Sequence, residues 1–276
     1  MEQHGNMLAI AGSPGSGKTT LAVKLAAEIA GKRKNVILVC GDPFVPSIPF
    51  LLPMEGEQEV SLGALLTAPA LTQDQILRAC VPVPGCEYAS LLGYKLGENL
   101  MSYPKVTRER AVEFLVCLRH LADYVILDLT SVFEADVFSI LAMEMADRVL
   151  RVGTSNLRGI SYYRSHAGML EGRADRGKYL NAIGNYKAGQ EWESVAGQYG
   201  GAAFLFPYVA ELEKQYDEGR LWEAMISREA PQFEKEVKKL LAEAFGLREA
   251  RQSAGNPEKK KLVVRSPFVW KNKGEF

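Results

Sequence analysis

Three side chains in this sequence have the type and setting to work on a phosphate. They are a lysine spaced by glycines near the amino terminus and two aspartates that follow apolar runs. The lysine lies in Gly12-Ser13-Pro14-Gly15-Ser16-Gly17-Lys18-Thr19, which fits G-x-x-x-x-G-K-[ST] at every fixed position. Glycines let a backbone curl around an anion with its N–H groups pointing inward, in dihedrals that a side chain obstructs. In that geometry Lys18 reaches the outer phosphates and the Thr19 hydroxyl sits on Mg²⁺. A helix that opens at the loop points its positive end at the anion. The expected phosphate-binding set is Gly12, Gly15, Ser16, Gly17, Lys18, Thr19 and Thr20. The first aspartate is Asp128, after Tyr124-Val125-Ile126-Leu127. A carboxylate at the carboxyl end of a buried strand suits the metal shell of such a loop, and a turn or helix-cap aspartate is the plainer reading. The second is Asp42, in Gly41-Asp42-Pro43 after another apolar run. It is equally suited to orienting an attacking water or to ending a strand in a turn.

These groups need elements to hold them. Residues 7–11 are a short apolar run suited to a buried parallel strand. After the loop, Leu21, Leu25 and Ile29 recur at helical spacing, widened by Ala22 and Ala26, and the helix stops at Gly31. Strand-like runs follow at 35–40, 87–92, 123–129, 148–152, 179–184 and 202–206. Helix-like segments lie at 107–122, 135–146, 211–219 and 231–245. The alternation predicts an α/β fold, a doubly wound and mostly parallel sheet with helices on both faces. One domain is expected over 1–248, with a basic and aromatic tail over 249–276. Residues 53–103, between the two aspartates, read as part of that domain.

The bulk numbers exclude little. The 276 residues carry 33 Lys plus Arg against 33 Asp plus Glu, so the balance does not call for nucleic acid or an anionic membrane. Arg148, Arg151, Arg158 and Arg164 read as an ordinary solvated face. No leader pattern opens the chain and no apolar run is long enough to span a bilayer, which points to a cytoplasmic protein. Cys40, Cys80, Cys86 and Cys117 are scattered and read as reduced, mostly core residues.

The order of these segments resembles the MinD/ParA-type P-loop ATPases, with the CpaE/TadZ-like proteins as the nearest branch. The likeness runs from about Leu8 to about Phe245. It takes in the phosphate loop, VILVCGDPFVP, ADYVILDLTSVFEADVFSILAMEMADRVLRVGTSNLRGI, YLNAIGNYKAG and LFPYVAELEKQYDEGRL. The resemblance implies ATP and Mg²⁺ as ligands. It implies that Lys18, Asp42 and Asp128 do the catalytic work, with Asp42 positioning water and Thr19 and Asp128 on the metal. It further implies that Asn185 recognises adenine and that Pro207 and Tyr208 lie against the base. An ATP-dependent homodimer that recruits a protein partner and resets by slow hydrolysis would follow.

Three departures weaken turnover. Ser13 stands where many members carry a second lysine that acts across the dimer. Leu129-Thr130-Ser131 replaces the usual proline and glycine, removing an easy backbone contact to the γ-phosphate. Cys40 replaces the first aspartate of a D-x-D pair. Phosphoryl transfer depends on positioned donors and cations, so each loss costs rate. After Asn185 the chain lacks the aspartate that reads guanine, so ATP is favoured. The alternatives are a scaffold that binds ATP without hydrolysing it and a small-molecule kinase, for which Arg173 and Arg176 are the obvious lid pair. The tail mixes Lys259, Lys260 and Lys261 with Leu262, Val263, Val264, Phe268 and Trp270. It reads foremost as an arm packing on its own domain or a neighbouring copy, then as a partner site, then as a peripheral membrane contact.

Overall fold

Met7, Ala9 and Ala11 project to one side of the first strand, Leu8 and Ile10 to the other, and all are sealed from solvent. The same period of two runs through the second, where Val36, Leu38 and Cys40 join Leu8 while Ile37 and Val39 join Met7. Strands apolar on both faces need cover on both faces, and the helices between them supply it. The computed structural model describes residues 6–53, 60–171 and 177–247. In chain order the elements are β1 (Met7–Gly12), α1 (Lys18–Gly31), β2 (Val36–Cys40), α2 (Ile48–Leu51), α3 (Leu62–Thr67), α4 (Gln73–Ala79), β3 (Val81–Val83), β4 (Cys86–Gly93), α5 (Arg108–Arg119), β5 (Tyr124–Asp128), α6 (Val137–Met145), β6 (Arg148–Thr154), α7 (Leu157–Glu171), β7 (Tyr179–Tyr186), α8 (Trp192–Gln198), β8 (Phe204–Pro207), α9 (Ala210–Asp217) and α10 (Ala230–Phe245). Among the described residues the strands form one eight-stranded sheet in the order β3-β4-β2-β5-β1-β6-β7-β8, parallel except for the edge strand β3.

One layer packs α1, α9 and α10 on the sheet around Leu21, Leu25, Ile29, Leu212, Phe233 and Leu240. The other packs α3, α4, α5 and α6 around Leu62, Ile76, Phe114, Leu115, Phe138 and Leu141. Each fully buried large side chain contributes about 1.5–3 kcal/mol, so these two layers supply most of the folding drive. The doubly wound α/β reading therefore stands, and the register makes the site. In it Ile10 pairs with Asp128, and Cys40 pairs with Asp128 on the other side, so the carboxyl ends of β1, β2 and β5 lie side by side.

Several details differ from the sequence reading. The helix expected over 135–146 opens with a 3-10 turn at Phe133–Ala135, and α6 starts at Val137. Asp136 sets that start, its carboxylate accepting from Ser139 N at 3.0 Å and Ser139 Oγ at 2.6 Å. Residues 60–93 carry α3, α4 and the β3–β4 hairpin, so part of the segment between the two aspartates is core. Arg151 is no solvated side chain: its Nε donates to Asn181 Oδ1 at 2.8 Å, and its guanidinium lies over the Tyr163 and Tyr179 rings. Two of the cysteines, Cys40 and Cys80, are buried; Cys86 and Cys117 are half-buried, and all four are free thiols. The proposed lid pair Arg173 and Arg176, and the tail over 249–276, lie outside the described residues.

Lys24 is buried within α1, where its ammonium donates to Gln215 Oε1 at 2.8 Å and to the Glu223 carbonyl at 2.7 Å. It ties α1 to α9 and to the chain beyond it. Burial pulls its pKa down to about 8, against the opposing fields of Glu211, Glu223 and Glu234. Between about 8 and the ordinary value of 10.5 the folded chain therefore holds fewer protons here than the unfolded one, so stability rises with pH in that window. Lys24→Met should remove that rise. Chemical denaturation at pH 7.5 and pH 10 should show the stability difference between wild type and variant shifting toward wild type by up to about 3 kcal/mol.

Candidate functional site

The loop between β1 and α1 is shaped by missing side chains. Gly12 ends β1 at φ 152°, where an added Cβ would lie 2.0 Å from the Val152 carbonyl oxygen on β6. Gly15 and Gly17 are left-handed at φ 72° and 86°, the region that favours glycine. From the other side β7 closes in, and a Cβ on Gly184 would lie 2.1 Å from the Ser16 carbonyl oxygen. Asn185 is itself left-handed at φ 53°, and its Nδ2 donates to the Gly15 carbonyl at 3.1 Å. Ser13 N donates to Val152 O at 3.1 Å, so β6 and β7 together hold the loop.

Lys18 and Thr19 open α1 from the floor of this loop. The Lys18 ammonium donates to Gly12 O at 3.2 Å, Ser13 O at 3.3 Å and Ser131 Oγ at 2.6 Å, which uses all three of its protons. Burial lowers its pKa, against the fields of Asp128 and Asp42. The Thr19 hydroxyl donates to Asp128 Oδ2 at 2.6 Å. The other carboxylate oxygen, Oδ1, is buried and has no hydrogen-bond partner among the described residues, and the same holds for the Ser13 and Ser16 hydroxyls. Burial pushes Asp128 up to about 6; the Thr19 hydrogen bond and Lys18 pull it down, and Asp42 adds to the rise. Asp42 is nearby but partly spent, since its Oδ1 accepts from Phe44 N at 2.9 Å and Val45 N at 3.2 Å and so holds the turn after β2.

Beside the loop opens a cleft of about 340 Å³. Residues 15–20 form one wall; Asn185, Tyr208 and the α9 residues Leu212, Glu213 and Tyr216 form the other. Pro207 ends β8 opposite Tyr186 and stands one residue short of the lining. Tyr208 N donates to Tyr186 O at 2.8 Å, its hydroxyl donates to Glu213, and the Lys187 ammonium lies 4.6 Å from its ring centroid. The fold thus brings Gly15, Ser16, Gly17, Lys18, Thr19, Thr20, Asn185 and Tyr208 into one cleft; Gly12 is bonded to Lys18, Asp128 to Thr19, and Asp42 is near enough for its charge to act on Lys18 and Asp128. An anion-binding loop, a cation, a buried carboxylate and an aromatic wall can together hold a phosphorylated ligand with a flat apolar group.

Sequence reasoning missed three contributors. Ser131 was read only as a lost glycine, whereas it contacts the loop lysine. The Tyr162 hydroxyl on α7 donates to the Ser131 carbonyl at 2.7 Å. Nothing in an isolated LRGISYYRSH stretch marks that tyrosine, and Lys24 was hidden inside an amphipathic pattern.

Residues 2–72 match the family model of the Zeta toxins. No curated protein matches the chain at a significant level. Solved structures match over most of its length. They include the septum site-determining protein MinD complexed with Mg-ADP from Pyrococcus horikoshii, 14% identical over 85% of this chain and 95% of that one, with a TM-score of 0.66. A ParA family ATPase from Chlorobium tepidum is 14% identical over 86% and 97%, at 0.63. The MinC:MinD cell division complex from Aquifex aeolicus contains a chain 17% identical over 88% and 99%, at 0.66. The fold is that of the MinD/ParA ATPases. The eight-stranded sheet and the phosphate loop at its centre belong to that architecture, and the CpaE/TadZ-like branch is not singled out by these likenesses.

Gly184 tests the tight approach of β7 to the loop. Gly184→Ala should destabilise the protein by about 2–4 kcal/mol through the clash with Ser16. Gly197→Ala, on α8 with open space around it, should be neutral or stabilising by up to about 1 kcal/mol. Thermal unfolding of both variants checks the pair.

Proposed function

We propose that this protein is an ATP-binding P-loop ATPase that acts as a nucleotide-dependent dimeric switch, recruiting or positioning a protein partner and hydrolysing ATP slowly. The observation that carries the reading is the Thr19–Asp128 pair, with a buried carboxylate oxygen left without a partner beside a glycine-built anion loop. Mg²⁺ takes oxygen ligands, and Thr19 with Asp128 offers them in the right place. Bound there with the nucleotide, Mg²⁺ would neutralise phosphate charge. Lys18 would bind the outer phosphates after giving up at least one of its present acceptors. The Asp42 oxygen not held by its turn would orient the attacking water. Asn185, Pro207 and Tyr208 would flank the adenine. The Mg-ADP complex of the Pyrococcus horikoshii MinD supports ATP and magnesium as the ligands.

The dimer reading is supported by exposed apolar side chains in the loops that follow β2, β4, β5 and β6. Val45 follows β2, Leu96 and Met101 follow β4, Val132 and Val137 follow β5, and Leu157 follows β6. All follow parallel strands and so belong to the carboxyl edge of the sheet. Leu96, Met101 and Leu157 are more than four-fifths exposed. A second copy bringing the same edge face to face would cover them. The MinC:MinD complex supports a protein partner, and with Ser13 in the loop hydrolysis would proceed without a lysine from the facing copy. Among the described residues no helix is long and apolar enough to cross a membrane. We read the protein as cytoplasmic, with the tail over 249–276 as the segment for peripheral membrane contact.

A small-molecule kinase is the second reading, favoured by the match of residues 2–72 to the Zeta toxin family. Light scattering and phosphate release separate the two. With ATP and Mg²⁺ the switch dimerises and releases phosphate slowly without an added acceptor, and Lys18→Ala abolishes both. ATP binding with no dimer and no phosphate would sink the switch and leave the scaffold. Asp128 adds a pH test. Metal binding needs its carboxylate, so Mg²⁺-dependent nucleotide affinity should fall as pH drops through about 6. Asp128→Asn should weaken it above about pH 6, where the wild-type carboxylate is ionised, and flatten the profile.

A further inference from the structure

Ser131 stands where the loop lysine needs a partner, and its own proton is uncommitted to that contact. The Lys18 ammonium donates to Ser131 Oγ at 2.6 Å, so the hydroxyl acts there as acceptor and keeps its O–H as a donor. The hydroxyl faces the loop ammonium, and it sits three residues past Asp128 on the loop leaving β5. Its backbone is fixed from behind. Tyr162 Oη donates to the Ser131 carbonyl at 2.7 Å, and the Tyr162 ring stacks on His166 with centroids 4.1 Å apart. His166 in turn packs on the Phe133 ring at 5.3 Å and lies 3.3 Å from the Glu134 carboxylate, both residues of the same loop. Thr130 braces the segment as well, accepting from Val132 N at 3.2 Å. A hydroxyl held this firmly beside a buried ammonium is a ready donor to an anion that the same ammonium binds.

We propose that Ser131 is a γ-phosphate-contacting residue and that Tyr162 positions it through the Ser131 carbonyl. The inference rests on the nucleotide reading of the cleft. It reverses the meaning of the Leu129-Thr130-Ser131 departure, because a side-chain donor takes over what a glycine N–H would supply. The contact depends on the terminal phosphate, so it discriminates triphosphate from diphosphate.

The test is calorimetric titration of the full-length protein with ADP and with the non-hydrolysable AMPPNP, each with Mg²⁺. Ser131→Ala should lower AMPPNP affinity about tenfold or more and leave ADP affinity within about twofold, the loss expected for one hydrogen bond to a charged group. Ser131→Thr, which keeps the hydroxyl, should retain most of the wild-type ratio. Tyr162→Phe keeps the ring and its stacking while losing the Oη donor, and should reduce the AMPPNP to ADP ratio by about 2–10-fold. That variant also reads the proposal if Ser131→Ala does not fold. An unchanged ratio in folded Ser131→Ala, or an equal fall for both nucleotides, overturns the assignment while leaving the cleft a nucleotide site. If the wild type binds neither ligand, the nucleotide reading fails and Ser131 falls with it.

Discussion

The phosphate loop closes because nothing stands between it and the two strands that flank it. Gly12 lets the loop backbone meet β6, and Gly184 lets β7 meet the loop at Ser16. Backbone in contact with backbone leaves no room for adjustment, so the loop takes its curvature from the sheet. Everything else at the site is measured from that fixed point. Lys18 and Thr19 are placed by the first turn of α1, and Asp128 by the pairing of β5 with β1. A hydrogen bond of 2.6 Å between Thr19 and Asp128 is possible because both ends are held by parallel register, with no long flexible side chain between them.

The electrostatics follow from the same closeness. One cation and one carboxylate share a buried floor, and the pKa of each moves toward its neutral form because burial outweighs their attraction. Of the five buried side-chain polar atoms without a hydrogen-bond partner among the described residues, three lie at the loop and its floor: Asp128 Oδ1 and the Ser13 and Ser16 hydroxyls. Polar atoms without partners cost stability in a folded chain, and three of them together at the loop support the proposal that a ligand is held there.

Much of this was legible in the sequence, for reasons that can be named. The glycine spacing encodes backbone dihedrals directly, and the apolar run ending in Asp128 encodes a buried strand with a polar end. Most of the core strands and long helices were found because burial on both faces leaves continuous apolar runs. Short elements such as α2 and α3 escaped, since four to six residues make too little of a period to read. The α7 helix escaped because its pattern is polar, and its Tyr162 matters through a contact with a residue far away in sequence. Arg151 was misread for a related reason: an arginine on a strand can lie between two aromatic rings that no local pattern announces. Ser131 was read by what it lacks, and only the geometry shows what it touches.

Lys24 carries a consequence beyond its own burial. It lies one to two turns past the phosphate loop, and its bonds to Gln215 and Glu223 fasten α1 to α9, the helix that forms the far wall of the cleft. Floor and wall are therefore one piece before any ligand arrives. A ligand entering such a cleft would meet a floor and a far wall that are already joined. The heat-capacity change on association should then reflect the apolar area the ligand itself covers, without the larger contribution of a segment that folds around it.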